Sequence, residues 1–460
     1  MENFMNPESV VLIGVTHKQG PGSYNNLETM LKYGYKGKIF LVHPQVDNIM
    51  GHKAYDSVDK IPETPDLAVI SVGRDNVLPV FKACVEKNIK RVIIISQGFK
   101  DADEKGARLQ DEMVAIAKKN CVRIIGPNTL GVVNPFSGFS TSFVDLERNP
   151  APYPLGVIIQ SGIFIAGIDA FTKELGKAFD IGNASDVDFV DGLEYFENDP
   201  ETKIIFIHME GVRNGKQFFK VASRVAKKKP VIILKTGRSQ AGAQAALSHT
   251  GSIAGEDAVF DAAIKKAGLI RVKNMIELRA VCNAMLHCPP MLGPRLGIIT
   301  ISGACGIMTA DACEDFGLEL ASFPEKLLSQ FEQPSIAWFK LQNPIDVWPV
   351  GIVSSNVLEM YAKIATALLK TDHLDALLIV FPAFDSPLHS EIDAALLIKK
   401  IIDQNPNQIP ISFWIYGQGG KAKIQELSKI DGVAVFERID EAVMGLAESW
   451  RYVKYQKLIE

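Results

Sequence analysis

The stretch from Gln244 to Ala267 combines a single histidine, His249, with the small neighbours Ser248, Thr250 and Gly251. An imidazole that titrates near neutral pH can act as a nucleophile, so it can accept and pass on a phosphoryl group. Apolar residues then recur at helical spacing, which predicts a helix that begins just after the histidine and offers free backbone N–H groups to an anion. Taken alone, the stretch also fits a helix-capping turn with an exposed histidine.

Short apolar runs alternate with amphipathic segments along most of the chain, and this alternation is typical of α/β folds with doubly wound parallel sheets. Two proline-rich stretches, 146–156 and 287–295, interrupt the pattern and predict linkers. We therefore predict three α/β domains, at 1–148, 149–290 and 291–460. In such sheets, ligands bind at the carboxyl ends of the strands.

Glycine and polar residues follow successive predicted strands of the first domain. The glycine spacing after the first strand is not GxGxxG, and the second strand ends in His43-Pro44 without an acid for a ribose hydroxyl. Both features argue against a nicotinamide-dependent dehydrogenase. Each loop alone is commonly a plain turn, but together the loops outline one crevice for a phosphorylated ligand. Its predicted lining is Gly14, Thr16, His17, Lys18, Gln19, Pro44, Val72, Ser96, Gln97, Gly98 and Asn128.

Composition excludes several classes of function. The net charge of the 460 residues is −4 and no basic block is present, which argues against nucleic acid as a partner. The six cysteines show no metal-type spacing, so we expect free thiols in a reducing compartment and no metal site. We find no signal peptide and no apolar run of membrane-spanning length, and we therefore expect a cytoplasmic protein without a membrane partner.

Phrases from every part of the chain resemble the NDP-forming acyl-CoA synthetase family, which includes succinyl-CoA synthetase. In the first domain these are VVLIGVTHKQG, YGYKGKIFLVHP, DLAVISVG, VIIISQGF and RIIGPNTLGVVNP. In the second they are GVIIQSGIFIAG, IGNASDVD, YFENDPETKIIFIHMEGV and the run from Pro230 to Val272, and in the third GIITISGACGIMTADACEDFGLEL and LQNPIDVWP. The family usually has cysteine at the position of Thr129 and often asparagine at that of His43.

The resemblance implies a Rossmann-like CoA-binding domain followed by two flavodoxin-like domains, with CoA in the crevice described above. It also implies that His249 carries a phosphoryl group during turnover and that Glu210 orients its ring. Glu210 alone would also fit a surface acid at a strand end. Phosphate and the acyl group would then be bound by Ser161, Gly162, Ser248, Thr250 and Gly251.

The implied activity is that of an ADP-forming acyl-CoA synthetase α subunit. It would interconvert acyl-CoA, ADP and phosphate with acid, CoA and ATP through an acyl phosphate and a phosphohistidine. We recognise no nucleotide-grasp module, so we expect a separate ATP-grasp β subunit that binds ADP or ATP with Mg²⁺, in a hetero-oligomer or around an α dimer. Apolar residues at 163–165 predict an apolar acyl group, although they would equally pack a helix. A catalytically silent CoA- or acyl-CoA-binding regulatory protein of the same fold is the alternative.

Overall fold

The computed structural model describes residues 1–149, 151–166, 175–242, 244, 257–389, 392–405 and 408–459. The chain folds into two compact units, Met1–Arg271 and Val272–Glu460. The described strands form three sheets, most of whose neighbouring strands are parallel, so the predicted α/β class is confirmed. Within the described residues, no helix is both long enough and apolar enough to cross a membrane.

The first sheet has the strand order β3-β4-β2-β1-β5-β6-β7, and its six strands from β4 to β7 in this order are parallel neighbours. Its strands are β1 (Ser9–Ile13), β2 (Lys38–Val42), β3 (Asn48–Ile49), β4 (His52–Tyr55), β5 (Leu67–Ile70), β6 (Arg91–Ile94) and β7 (Arg123–Ile125). The helices of this region are α1 (Glu2–Met5), α2 (Asn26–Tyr33), α3 (Arg74–Glu86) and α4 (Glu104–Lys119), with a 3₁₀ turn at Val58–Lys60.

The second sheet has the order β14-β13-β12-β10-β11-β8-β9. Its strands are β8 (Val132–Asn134), β9 (Phe139–Ser140), β10 (Leu155–Ile159), β11 (Ala178–Asp180), β12 (Ile204–Met209), β13 (Val231–Lys235) and β14 (Ile270–Val272). The described helices here are α5 (Ile163–Ala166), α6 (Phe189–Asn198), α7 (Gly215–Ala226) and α8 (Asp257–Lys266). Strands β8 and β9 precede the predicted boundary at residue 148, yet β8 pairs antiparallel with β11.

The third sheet has the order β16-β15-β18-β19-β20, with β17 also paired to β15. Its strands are β15 (Arg295–Thr300), β16 (Glu319–Leu320), β17 (Ile345–Asp346), β18 (Ala376–Pro382), β19 (Ile411–Tyr416) and β20 (Val433–Phe436). The surrounding helices are α9 (Met275–His287), α10 (Gly303–Phe316), α11 (Glu325–Ser329), α12 (Trp348–Val353), α13 (Val357–Leu369), α14 (Ala394–Ile402), α15 (Gly420–Leu427) and α16 (Ile439–Ile459), with 3₁₀ turns at Pro334–Ile336 and Pro387–His389.

The central strands are buried along their whole length because helices cover both faces of the sheets. Every residue of β5, β12 and β18 is buried. Polar caps fix where the helices begin: the Asn25 side chain accepts hydrogen bonds from the first turn of α2, and Asp188 forms a capping box with Asp191 at the start of α6. The carboxyl ends of the parallel strands therefore carry the loops whose side chains can meet a ligand.

Candidate active site

The loop after β1 has a shape that only glycine allows at its first position. Gly14 has a φ of +85°, and a Cβ built on it would lie 2.5 Å from Cγ1 of Val72 and 2.9 Å from the backbone oxygen of Ser71. The Asn25 amide nitrogen donates to the carbonyl oxygens of Thr16 and Lys18 at 3.1 and 3.0 Å. This capping residue therefore also holds the loop against the start of α2.

The residues predicted to bind CoA follow the strand order along the carboxyl edge of the first sheet. The β2 end (His43-Pro44) lies beside the β1 loop, where the rings of His17 and His43 are 6.4 Å apart. Thr16 is half-buried, whereas His17, Lys18 and Gln19 are exposed. The ends of β5, β6 and β7 come next and open into a cavity.

This cavity has a volume of about 660 Å³ and is lined by loops from both sheets of the first unit. Five of the residues predicted to bind CoA or phosphate contribute to its wall: Val72, Ser96, Gln97, Asn128 and Gly162. The predicted Gly14, Pro44 and Gly98 belong to the neighbouring strand-end loops. The remaining wall residues are Ser71, Gly73, Arg74, Ile95, Thr129, Leu130, Phe143, Val144, Ile163, Ala166 and Asp180.

Asp180 is an acid in this wall that sequence reasoning missed. It ends β11 and is 2% exposed, and its Oδ2 accepts a hydrogen bond from the backbone N–H of Leu130 at 2.7 Å while its Oδ1 accepts one from Gly182 at 3.1 Å. Burial raises the pKa of Asp180 to about 6 against these hydrogen bonds, and the nearby Glu210 carboxylate acts in the same direction. An acidic residue at the end of a predicted parallel strand, directly before IGN, was the available signal.

Arg74 is the cationic residue of the described cavity wall, and it was likewise not predicted from the sequence. Its guanidinium Nη1 donates to the backbone oxygen of Gly98 at 3.0 Å and to Oδ2 of Asp103 at 2.7 Å. The hydrogen bond to Asp103 holds the pKa of Arg74 above its ordinary value. The position directly after DLAVISVG, at the start of a helix, was the signal.

Of the three apolar residues predicted to meet the acyl group, one reaches the cavity. Ile163 is 53% exposed and lines the wall. Phe164 and Ile165 are buried, and the Phe164 ring packs on that of His208 with centroids 4.1 Å apart. The packing explanation thus fits Phe164 and Ile165, whereas Ile163 remains a candidate for acyl contact.

Glu210 follows the carboxyl end of β12 and is 9% exposed. The side-chain oxygen of Gln160 accepts hydrogen bonds from the backbone N–H groups of Glu210 and Gly211 at 2.7 and 3.1 Å. Lys235, at the end of β13, donates from Nζ to the backbone oxygen of Glu210 at 2.8 Å. Neighbouring strand ends therefore fix the turn that carries Glu210, and its burial distinguishes it from an ordinary surface acid.

Ser161 and Gly162 lie between β10 and α5, and Gly162 lines the cavity near Asp180. A Cβ built on Gly162 would lie 2.7 Å from the Leu130 side chain and 3.3 Å from Oδ2 of Asp180. His249, Ser248, Thr250 and Gly251 lie outside the described residues, and the helix predicted after them is described from Asp257 onward. Among the described residues, we find no group of three or more potential metal ligands.

Comparisons with known proteins agree with this arrangement. Residues 8–135 match a family model described as a CoA binding domain, and residues 152–285 match a succinyl-CoA ligase like flavodoxin domain. The chain is 32% identical over 447 residues to the alpha subunit of ADP-forming acetate–CoA ligase II of Pyrococcus furiosus, an alignment that covers 96% of this chain and 95% of that one.

A second relative is longer. The chain is 35% identical over 378 residues to ADP-forming acetate–CoA ligase II of Archaeoglobus fulgidus, an alignment that covers 81% of this chain and 56% of that protein. It thus spans little more than half of that relative.

The acetyl-coenzyme A synthetase 1 of Ca. Korarchaeum cryptofilum, solved in complex with phosphate and ADP, superimposes with a TM-score of 0.86 at 29% identity. This match covers 100% of this chain and 98% of that chain. The resemblance inferred from the sequence is confirmed, and the chain belongs to the family of α subunits of ADP-forming acyl-CoA synthetases.

Proposed function

We propose that this chain catalyses the acyl-transfer half of an ADP-forming acyl-CoA synthetase. Acyl-CoA and phosphate give acyl phosphate and CoA, and the acyl phosphate then transfers its phosphoryl group to His249. A partner subunit of the ATP-grasp type would hold ADP with Mg²⁺ and take the phosphoryl group from His249, and the cycle would also run in reverse.

The observation that carries the proposal is the shared cavity. The strand ends of the CoA-binding region supply one wall, and Gly162 and Ile163 after β10 supply another, so a thioester that lies along the first sheet would present its carbonyl carbon to the second. The buried Glu210 turn follows the next strand of that sheet, and its carboxylate is our candidate for the group that orients the phosphorylated histidine.

The cavity wall also indicates which class of carboxylic acid is the substrate. Ile163, Leu130, Phe143, Val144 and Ala166 give the cavity an apolar side. The cation of the wall, Arg74, is already engaged by Asp103 and by a backbone oxygen. The described wall offers a second substrate carboxylate no cation besides this arginine, so we propose an apolar monocarboxylic acid as substrate.

Mass spectrometry of the peptide that contains His249 tests the phosphoryl step. We expect this peptide to gain one phosphate when the full-length chain is incubated with acyl-CoA and phosphate, and His249→Asn to abolish the gain. His52→Asn is the matched control, since that histidine lies in β4, and it should leave the labelling intact. Full turnover by His249→Asn with the ATP-grasp partner would rule out the mechanism, whereas tight CoA binding without phosphoryl transfer would favour the regulatory alternative.

A screen of acids with the reconstituted pair tests the substrate class. We expect kcat/KM for monocarboxylic acids with apolar chains to exceed that for dicarboxylic acids of equal length. A preference for the dicarboxylic acids would contradict the apolar assignment and leave the phosphohistidine mechanism standing.

A further inference from the structure

The described cavity wall contains two titratable side chains, Arg74 and Asp180. An arginine guanidinium does not release its proton in the range of pH where proteins fold, and Arg74 is held by Asp103. Asp180 is therefore the group among the described wall residues that can exchange a proton with a ligand in the cavity.

The position of the Asp180 carboxyl group is fixed from both sheets. The backbone N–H of Leu130, which follows β7, and that of Gly182, which follows β11, each donate to one of its oxygens. Each carboxyl oxygen can accept more than one hydrogen bond, so a proton or a second donor can still be accommodated. Gly162 has no side chain to fill the space near Oδ2, where a Cβ would lie at 3.3 Å.

Burial and the neighbouring negative charge raise the pKa of Asp180 toward neutral pH. Burial acts first, and the Glu210 carboxylate after β12 acts in the same direction, which together raise the pKa of Asp180 to about 6. The Arg74 cation on the opposite strand ends is neutralised by Asp103. A bound phosphate would add negative charge to the cavity and would raise the pKa of Asp180 further.

The reaction proposed above needs a proton at this place. A thiol has an ordinary pKa of about 8.5, so a sulfur that leaves a thioester as a thiolate takes up a proton at neutral pH. Resting on the proposed function, we propose that Asp180 is a catalytic residue that donates this proton to the CoA sulfur and takes it back in the reverse reaction.

An oxygen of hydrogen phosphate forms a bond to the thioester carbonyl carbon, and the carbon–sulfur bond breaks with its electron pair on sulfur. The Asp180 proton moves to that sulfur. The products are acyl phosphate, the CoA thiol and the Asp180 carboxylate, and in reverse the carboxylate takes the thiol proton while sulfur attacks the acyl phosphate.

Two measurements on full-length Asp180→Asn separate this role from a structural one. The first is phosphate-dependent release of thiol from acetyl-CoA, which needs the proton. The second is labelling of His249 by acetyl phosphate, which involves no thiol. Asp188→Asn is the matched control, since Asp188 caps α6 at a half-buried position outside the cavity wall and asparagine is an equally good cap.

We expect Asp180→Asn to slow thiol release by about 100-fold or more, the usual effect of losing a general acid, and to keep wild-type labelling by acetyl phosphate. The wild-type rate of thiol release should fall relative to that of the variant as the pH rises above about 6. Asp188→Asn should match the wild type in both assays.

Wild-type thiol release by Asp180→Asn would overturn the inference, as would an equal loss of thiol release and of labelling, since that outcome shows a structural role. A wild-type chain that binds acetyl-CoA but releases no thiol would overturn the proposed function itself and this inference with it. The two failures are distinguishable because the first leaves the wild-type enzyme active.

Discussion

Acidification tests how the second sheet holds its buried histidine. His208 lies in β12 and is 2% exposed. Its Nε2 is 3.1 Å from Oγ1 of Thr236 and its ring packs on Phe164, whereas its Nδ1 makes no hydrogen bond to the described residues. A proton on Nδ1 would therefore place an uncompensated charge in the core.

The magnitude follows from the pKa. Burial lowers the pKa of His208 from 6.5 to about 3, and the Lys235 cation acts in the same direction. The unfolded chain binds a proton at this residue near pH 6.5, so between pH 6.5 and 3 the unfolded state holds more protons than the folded state. The contribution of His208 to stability is present above this window and falls by about 1.4 kcal/mol per pH unit as the pH drops, on the order of 5 kcal/mol in total.

The assay must report the stability of the first unit, Met1–Arg271. All four tryptophans lie after Val272, so tryptophan fluorescence reports the second unit. Hydrogen exchange of the β12 amides can be measured by mass spectrometry as a function of urea concentration at pH 7 and pH 4. It gives the free energy of opening of the strand that carries His208. His208→Gln keeps a polar atom close to Thr236 and removes the titration, and His17→Gln serves as the exposed control.

We expect the wild type and His17→Gln to lose stability between pH 7 and pH 4 by an equal amount. His208→Gln should lose less, by on the order of 3 kcal/mol. Carboxylates that titrate in the same range contribute equally to all three proteins, so the comparison isolates the histidine. The same loss in His208→Gln as in the wild type would refute the reasoning, because the ring would then accept its proton in the folded state.

Three further substitutions test the packing and the site. Lys177→Met removes the cation from Asp199 within a buried pair that is 3% and 5% exposed at its side chains, and should cost about 3–5 kcal/mol in urea unfolding of the first unit. Lys82→Met, in an exposed pair, should cost less than about 1 kcal/mol. Gln160→Leu removes the acceptor for two backbone N–H groups after β12. It should lower the free energy of opening there by about 1–3 kcal/mol, and it should also reduce the phosphate labelling of His249. Gly162→Ala should displace a cavity side chain and weaken acetyl-CoA binding in calorimetry, and unchanged affinity would separate this glycine from the ligand site.

The strands were predictable because they are buried on both faces and therefore appear as continuous apolar runs. The run Leu67–Val72 contains β5 at Leu67–Ile70, and the run Arg123–Gly126 contains β7 at Arg123–Ile125. Strands β8 and β9 were not predicted, since they are two or three residues long and β8 pairs with a strand more than forty residues further along the chain. Local patterns carry little information about such pairing.

The candidate site likewise contains residues that could be predicted from the sequence and residues that could not. Positions at strand ends, such as Val72, Ser96 and Asn128, could be predicted because parallel strands place their carboxyl ends on one edge. Asp180 and Arg74 also lie at or just after strand ends, but the chain contains 53 acidic and 49 basic residues, and the sequence does not indicate which of them the tertiary contacts bury. The role of His249 still rests on the family resemblance.

The contact between the first two sheets explains why substitution of Asp180 should alter chemistry more than shape. Backbone hydrogen bonds join the segments: Asp180 N donates to Gly131 O at 2.8 Å, and Asn183 N donates to Pro127 O at 3.0 Å. Gly182 lets them approach, because a Cβ there would lie 2.4 Å from the backbone oxygens of Pro127 and Asn128. Since these backbone hydrogen bonds do not involve the Asp180 carboxyl group, Asp180→Asn should keep the affinity of the chain for CoA, whereas Gly182→Ala should separate the segments and weaken it. Equal CoA affinities of Gly182→Ala and the wild type would show that the cavity does not depend on this contact.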